Sequence, residues 1–337
     1  MKVLITGGAG YIGSTVCSAL KDRGHTPIIL DSLVTGRREF ANRHAFYKGD
    51  IADTTLLEKI FSEHPDIKCT IHCAALIVVP ESVKNPFAYY MENVTKSIIL
   101  FKKLAELGCK QVVFSSSAAI YDIVPGFMVT EQAPIKPQSP YSRSKFMMEM
   151  VLEDFCGAYD MKGIALRYFN PIGADPQMRT GLQIQFPSHV LGKLVEVAGA
   201  REKVFKITGT DWPTRDGSGI RDYIHVWDLA LAHVKAVDNF ERAFDKADPS
   251  NGSYLVINIG TGNGVTVKEL VSAFEMVYGA QINKELAPPR EGDVAGAYAN
   301  ADAAKKLLDW ASQLSIEKGI ADALKWDEIR SSIIQYQ

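Results

Sequence analysis

Val3-Leu-Ile-Thr-Gly-Gly-Ala-Gly-Tyr-Ile-Gly13 is the stretch that decides the fold. Val3–Thr6 is a short apolar strand, glycines follow at once at 7, 10 and 13, and Ile12–Lys21 carries apolar residues at helical spacing. Strand, glycine turn and helix in that order bring backbone close to a pyrophosphate at a helix N-terminus. Unpaired N–H groups and the helix dipole favour negative charge there. The next strand, His25–Leu30, closes on Asp31, 18 residues after Gly13. A carboxylate at that point accepts hydrogen bonds from ribose hydroxyls and repels a 2′-phosphate, which favours NAD over NADP. Arg37 and Arg38 read as solvated loop charges.

Outward from this unit the chain alternates strands with helices, the pattern of a Rossmann-type doubly wound parallel α/β sheet. Ala45–Gly49, Cys69–Cys73, Gln111–Phe114 and Gly163–Tyr168 read as further strands, and Tyr254–Asn258 as one that returns to the same body. Helices are expected over Thr54–Ser62, Pro86–Leu107, Tyr141–Tyr159, Val226–Phe240 and Thr266–Tyr278. Tyr121–Pro140 and the Thr/Gly/Asp-rich Val204–Gly219 read as loops. The expected division is a dinucleotide-binding domain over 1–170, with 222–259 returning to it. A smaller C-terminal substrate-binding lobe is built from 171–221 and 260–337.

Composition narrows the function classes. The chain has 337 residues, 47% of them hydrophobic, and a formal net charge of −2. That supports a large core and gives no electrostatic reason to expect nucleic acid or a membrane as partner. No apolar run approaches membrane-spanning length and no export signal leads the chain, so a soluble, cytoplasmic protein is expected. Cys69 and Cys73 flank His72 at a spacing that suggests a metal, but the run is apolar throughout and reads as a buried strand; no metal is expected.

Tyr141-Ser-Arg-Ser-Lys145 puts a phenol and an ammonium four residues apart on one helical face. Beside a dinucleotide, a lysine that favours phenolate turns the tyrosine into a base able to take a sugar hydroxyl proton. Ser117 ends a strand of the same sheet, at the edge where open α/β sheets bind ligands.

These motifs resemble the extended short-chain dehydrogenase/reductase family, and within it the UDP-glucose (UDP-galactose) 4-epimerases. The resemblance runs through Phe114-Ser-Ser-Ser-Ala118, Arg167-Tyr-Phe-Asn-Pro-Ile-Gly-Ala174, Gly217-Ser-Gly-Ile-Arg-Asp-Tyr-Ile-His225 and Arg290-Glu-Gly-Asp293. It implies a retained NAD, a transient 4-keto sugar, a homodimer built on the helices near 86–107 and 141–159, and three catalytic residues, Ser117, Tyr141 and Lys145. NAD would be lined by Gly7, Gly10, Tyr11, Ile12, Gly13, Asp31, Ser32, Asp50, Ile51, Cys73, Ala74, Ala75, Asn93, Ser115, Tyr141, Lys145 and Phe169. The UDP-hexose would meet Ser117, Tyr141, Asn170, Arg221, Arg290, Asp293 and Ala297. Ala297, with Tyr298 beside it, implies a short wall near the sugar C2 substituent, and hence room for UDP-GlcNAc and UDP-GalNAc. Departures are Ile77 where many such enzymes have lysine, Gln183-Ile-Gln185 where an Asn-Asn-Leu stretch is expected, and Tyr121-Asp122 in place of Tyr-Gly. A 4,6-dehydratase would need an acid after Ser117, where Ala118 stands. A UDP-glucuronate 4-epimerase would use Arg179 or His189 for the carboxylate. A non-catalytic NAD-binding regulator would lack the Tyr–Lys pair.

Overall fold

The computed structural model describes residues 1–289 and 293–336. Seven strands form the central sheet: β1 (Lys2–Thr6), β2 (Thr26–Asp31), β3 (Ala45–Lys48), β4 (Ile67–His72), β5 (Gln111–Ser117), β6 (Lys162–Tyr168) and β7 (Tyr254–Ile259). Their order is β7-β6-β5-β4-β1-β2-β3, and every neighbouring pair is parallel. The order reverses at β1, between β4 and β2, so the ends of these strands open a crevice.

Strand alternation assigns each side chain to one of two cores. Val3 and Ile5 face the helices Tyr11–Asp22 and Val226–Asp238; Leu4 faces Thr54–Glu63, Lys96–Glu106 and Pro140–Ala158. Val113 and its neighbours Val112 and Phe114 divide the same way. Burial on both faces is why these strands read as continuous apolar runs rather than alternating ones.

The helix expected over Pro86–Leu107 is interrupted. It begins as Pro86–Tyr89, widens to a π-turn over Tyr90–Thr95 and continues as Lys96–Glu106. Periodicity does not register the inserted turn, and such turns often mark functional positions. His72, at the end of β4, lies 2.7 Å from Thr6 Oγ1 and 2.9 Å from Ser97 Oγ, and burial pulls its pKa down to about 3. Among the described residues no group of His, Cys, Asp and Glu could hold a metal, and no helix is long and apolar enough to cross a membrane.

A second body packs helices Val190–Ala198, Val267–Tyr278 and Ile316–Ile333 around their own core. Part of the expected loop over Val204–Gly219 is a strand, Phe205–Thr208, paired in parallel with Lys284–Ala287. Strands Asn170–Ile172 and Tyr223–His225 pair at the junction of the two bodies.

Helix Pro140–Ala158 is fixed to the sheet by a buried ion pair. Arg167 on β6 reaches Glu149 through Nε (2.9 Å) and Nη2 (2.6 Å), and its Nη1 donates to the Tyr121 hydroxyl at 2.9 Å. Ser116 donates to the same carboxylate, and Tyr121 passes the chain on to Asn258. Removing one charge of a buried pair leaves the other uncompensated, so Arg167→Met is expected to cost about 3 kcal/mol. Urea denaturation measures this; a loss under about 1 kcal/mol would show the pair to be dispensable.

Candidate active site

Two glycines of the first turn are required by space. Gly7 has φ +70°, and a Cβ there would stand 2.7 Å from the Ala74 nitrogen, so the turns after β1 and β4 touch through backbone. A Cβ on Gly13 would run into the Gly7 carbonyl oxygen, so the helix starts tight against the turn. Gly10 caps Tyr11–Asp22 without a side-chain hydrogen bond, which leaves the first N–H groups facing outward, and no acid stands in the first turn. Asp31 accepts from Ala9 N (2.9 Å) through Oδ2 and from Leu33 N (2.7 Å) through Oδ1. Its carboxylate is thus aimed before any ligand arrives. Arg37 lies over the Tyr336 ring and Arg38 over Phe46.

These groups open into one cavity of about 980 Å³, at the upper end for small-molecule sites. Gly7, Gly10, Tyr11, Ile12, Gly13, Asp31, Ser32, Asp50, Ile51, Cys73, Ala74, Ala75 and Phe169 line it, and so do Ser117, Tyr141, Asn170, Arg221, Asp293 and Ala297. Arg290 lies outside the described residues. Asn93, Ser115 and Lys145 sit beneath the lining. Asn93 accepts from Leu76 N (2.8 Å) and donates to Leu76 O and Ser144 Oγ (both 3.0 Å), so it ties the loop after β4 to the helix Pro140–Ala158. The π-turn is what carries it there.

Tyr141 enters the cavity from the first turn of Pro140–Ala158, whose N-terminus Ser139 caps with a reciprocal bond to Ser142. Burial raises the phenol pKa, and a hydrogen bond with Ser117 lowers it. Burial prevails. Lys145, read from spacing as the group that favours phenolate, instead donates to the Ser115 carbonyl at 2.8 Å. Burial depresses its own pKa to about 8, against opposing pulls from Cys73 and Glu149. Ser115 Oγ lies 2.9 Å from His233 Nε2 and 3.1 Å from Cys73 Sγ.

On the opposite wall, Arg221 gives both Nη1 hydrogens to carbonyls, Ile220 O at 2.7 Å and Ala295 O at 2.9 Å, and Nη2 reaches Val294 O at 3.1 Å. Buried Asp222 accepts from the backbone of Thr261, Gly262 and Ala299, fixing strand Gly296–Ala299. In that strand Ala297 faces the cavity, while the Tyr298 ring packs where a Gly264 side chain would be. Gln183 stands by the glycine turn, donating to Thr35 O at 3.2 Å, and Gln185 is exposed. The stretch lining this wall at a helix start is Ser188-His189-Val190; His189 Nδ1 accepts from Gly192 N at 3.2 Å. Its ring is held neutral by burial, with a pKa near 4. Arg179 is bound to Asp22 and Asp175 and does not line the cavity. Sequence reasoning missed Tyr223, a cavity-lining residue 3% exposed whose buried hydroxyl has no partner among the described residues. Its position two residues after Arg221 was the available signal.

Residues 3–260 match the NAD dependent epimerase/dehydratase family. This chain belongs to that family. The UDP-glucose 4-epimerase of Bacillus subtilis (strain 168) is 38% identical over 336 residues, covering 97% of this chain and 96% of that enzyme. Among solved structures, the UDP-glucose-4-epimerase of Stenotrophomonas maltophila, with bound NAD and formylated UDP-arabinopyranose, superposes with a TM-score of 0.92. The two are 35% identical, over 98% of this chain and 99% of that one. The UDP-Glc/GlcNAc 4-epimerase of Campylobacter jejuni gives a TM-score of 0.80 at 34% identity, over 97% and 99% of the two chains.

Lys145 gives this family member a measurable cost. In the unfolded chain the amine keeps its proton up to its ordinary value of about 10.4, whereas in the fold it loses it near 8. The burial penalty is therefore complete below pH 8 and fades as pH rises toward 10.4, so stability increases across that window. Lys145→Met removes the penalty but leaves the Ser115 carbonyl without its donor. The net expectation for cofactor-free protein at pH 7 is a gain of about 2 kcal/mol, shrinking by pH 10. Urea denaturation at the two pH values checks this; a variant less stable at pH 7 contradicts it.

Proposed function

We propose that this chain interconverts UDP-glucose and UDP-galactose by removing hydrogen from C4 of the hexose and returning it to the opposite face. The carrying observation is that Tyr141 and Ser117 share one cavity with the glycine turn and Asp31. The activity of the UDP-glucose 4-epimerase relatives supports the reading. The larger body would hold NAD: the helix N-terminus at Tyr11 takes the pyrophosphate and Asp31 a ribose. Bound there, NAD supplies an acceptor that takes the C4 hydride and gives it back.

Tyr141 accepts the 4-hydroxyl proton as the C4–H bond breaks, and Ser117 orients the phenol and the hydroxyl. Lys145, anchored at Ser115, supplies positive charge beneath the site. Asn170 at the junction, with Arg221, Asp293 and Arg290 of the smaller lobe, holds the UDP portion while the 4-keto sugar turns. Phosphate recognition in a chain of net charge −2 needs such local arginines.

Ala297 carries the wider specificity. With the Tyr298 ring packed at Gly264, the wall near the sugar stays short, which leaves room for an N-acetyl group. Pairing of two chains is supported by exposed Ile98, Ile99, Met147 and Met150 on adjacent helices, with Phe87 and Met91 on the same segment. Leu104 belongs to the chain's own core and Phe146 packs partly inward. Five free thiols, four of them fully buried, fit a reducing cytoplasm.

Purified protein is expected to carry NAD and to convert UDP-glucose to UDP-galactose, resolved chromatographically. Tyr141→Phe should keep the NAD and lose ~10²–10⁴-fold in turnover. Wild-type turnover in that variant removes Tyr141 from the chemistry. Ala297→Tyr should suppress kcat/KM for UDP-GlcNAc while sparing UDP-glucose; equal losses on both sugars would show that Ala297 is no gate. Light scattering at micromolar concentration should give a dimer, and a monomer would refute the apolar face as an interface.

A further inference from the structure

The three serines that end β5 each take a different partner, and the first holds a residue that the reaction described above leaves unused. Ser117 shares a hydrogen bond with Tyr141, and Ser116 donates to Glu149 on the helix Pro140–Ala158. Ser115 turns to the opposite face of the sheet, the face of Val113, and its Oγ lies 2.9 Å from His233 Nε2. His233 is wholly buried in the helix Val226–Asp238, on a side where Leu229, Ala230, Ala236 and Val237 belong to the apolar core. A polar ring is costly there unless both nitrogens are partnered.

Both are, and the partners fix every proton. His233 Nδ1 lies 2.9 Å from the Leu229 carbonyl, which can only accept, so Nδ1 carries the hydrogen. Burial keeps the ring neutral, with a pKa pulled down to about 4, so Nε2 is left with a lone pair. Ser115 therefore gives its one hydroxyl hydrogen to His233, and toward Cys73 Sγ, 3.1 Å away, it can only accept. The main-chain carbonyl of the same residue receives Lys145 Nζ at 2.8 Å. Ser115 is thus pinned through its side chain to a helix on one face of the sheet, while its carbonyl carries an ammonium that comes from a helix on the other.

We propose that His233 is a positioning residue of the reaction: by holding the Ser115 hydroxyl it fixes the carbonyl on which the Lys145 ammonium rests, and so the place of that charge beneath the site. The inference rests on the epimerase reading above and extends it to a helix none of whose residues lines the cavity. Without an acceptor at position 233 the hydroxyl must turn toward Cys73 or stay unpaired, and the end of β5 loses its hold on this face. Misplacing a group of the site by about 1 Å can cost on the order of 10²-fold in rate. Loss of one remote hydrogen bond moves the charge less, so a loss of about tenfold is expected.

Variants purified with their bound dinucleotide test this. His233→Leu keeps bulk and removes the acceptor; kcat for UDP-glucose should fall about tenfold with KM unchanged, because the groups proposed to hold the UDP portion lie on other elements. His233→Gln puts an amide oxygen where Nε2 stood and should recover most of the rate, which a simple loss of packing would not allow. Ser115→Ala removes the same bond from its other end, so it should lower kcat alike, and adding His233→Leu to it should cost little more. Wild-type kcat in His233→Leu, a glutamine variant no faster than the leucine one, or losses that multiply in the double variant overturn the positioning role. If the leucine variant does not fold, Ser115→Ala decides alone, and a wild-type kcat there overturns the role. Wild-type protein that retains NAD but converts neither UDP-sugar overturns the epimerase reading instead.

Discussion

The backbone contact between the turns after β1 and β4 is the constraint on which the rest depends. Gly7 sits at φ +70° with no room for a Cβ against Ala74, and Gly13 brings the next helix onto Gly7 itself. Only glycine meets both demands, one of backbone conformation and one of space. That packing points the helix N-terminus into the crevice and places the loop after β4 along its floor. Asn93 then joins this loop to Ser144, next to Lys145. The glycine turn and the helix Pro140–Ala158 are thus held by one continuous set of contacts.

The site works against the stability of its own fold. Lys145 is buried with one hydrogen bond to a carbonyl, and its depressed pKa records the expense of keeping an ammonium there. Tyr141 is raised by the same desolvation that will strengthen any charge arriving beside it. Nearby, Arg167 and Glu149 compensate each other and tie the helix Pro140–Ala158 to β6. The compensated pair anchors the helix that carries the two desolvated groups.

Local pattern made much of this legible. Six strands of the sheet were readable because burial writes itself as apolar runs, the edge strand Ala45–Lys48 being only partly covered, and the glycine spacing stood between a strand and a helix. What escaped depends on contacts across the chain. The phenol's pKa could not be read from a four-residue spacing, because Lys145 turns to Ser115 on another element and burial outweighs it. The π-turn changes the direction of Asn93 without changing the apolar rhythm. Gln183 lies beside Gly10 and lines the cavity with Ile184, and the fold brings Ser188-His189-Val190 to the same cavity, a neighbourhood that no local pattern announces. The orientation of Ala297 and Tyr298 follows from strand alternation, but only once Asp222 is seen to hold that strand.

The central claim is that the hydrogen leaving C4 returns to C4 of the same sugar. UDP-glucose carrying deuterium at C4, converted in ordinary water, tests this directly by mass spectrometry and NMR of the UDP-galactose formed. Epimerisation through hydride transfer to and from a bound dinucleotide predicts product with the deuterium still at C4. Deuterium lost to solvent would mean that C4 is deprotonated by a base instead, and would contradict both hydride storage in the dinucleotide cradle and proton transfer from the 4-hydroxyl to Tyr141.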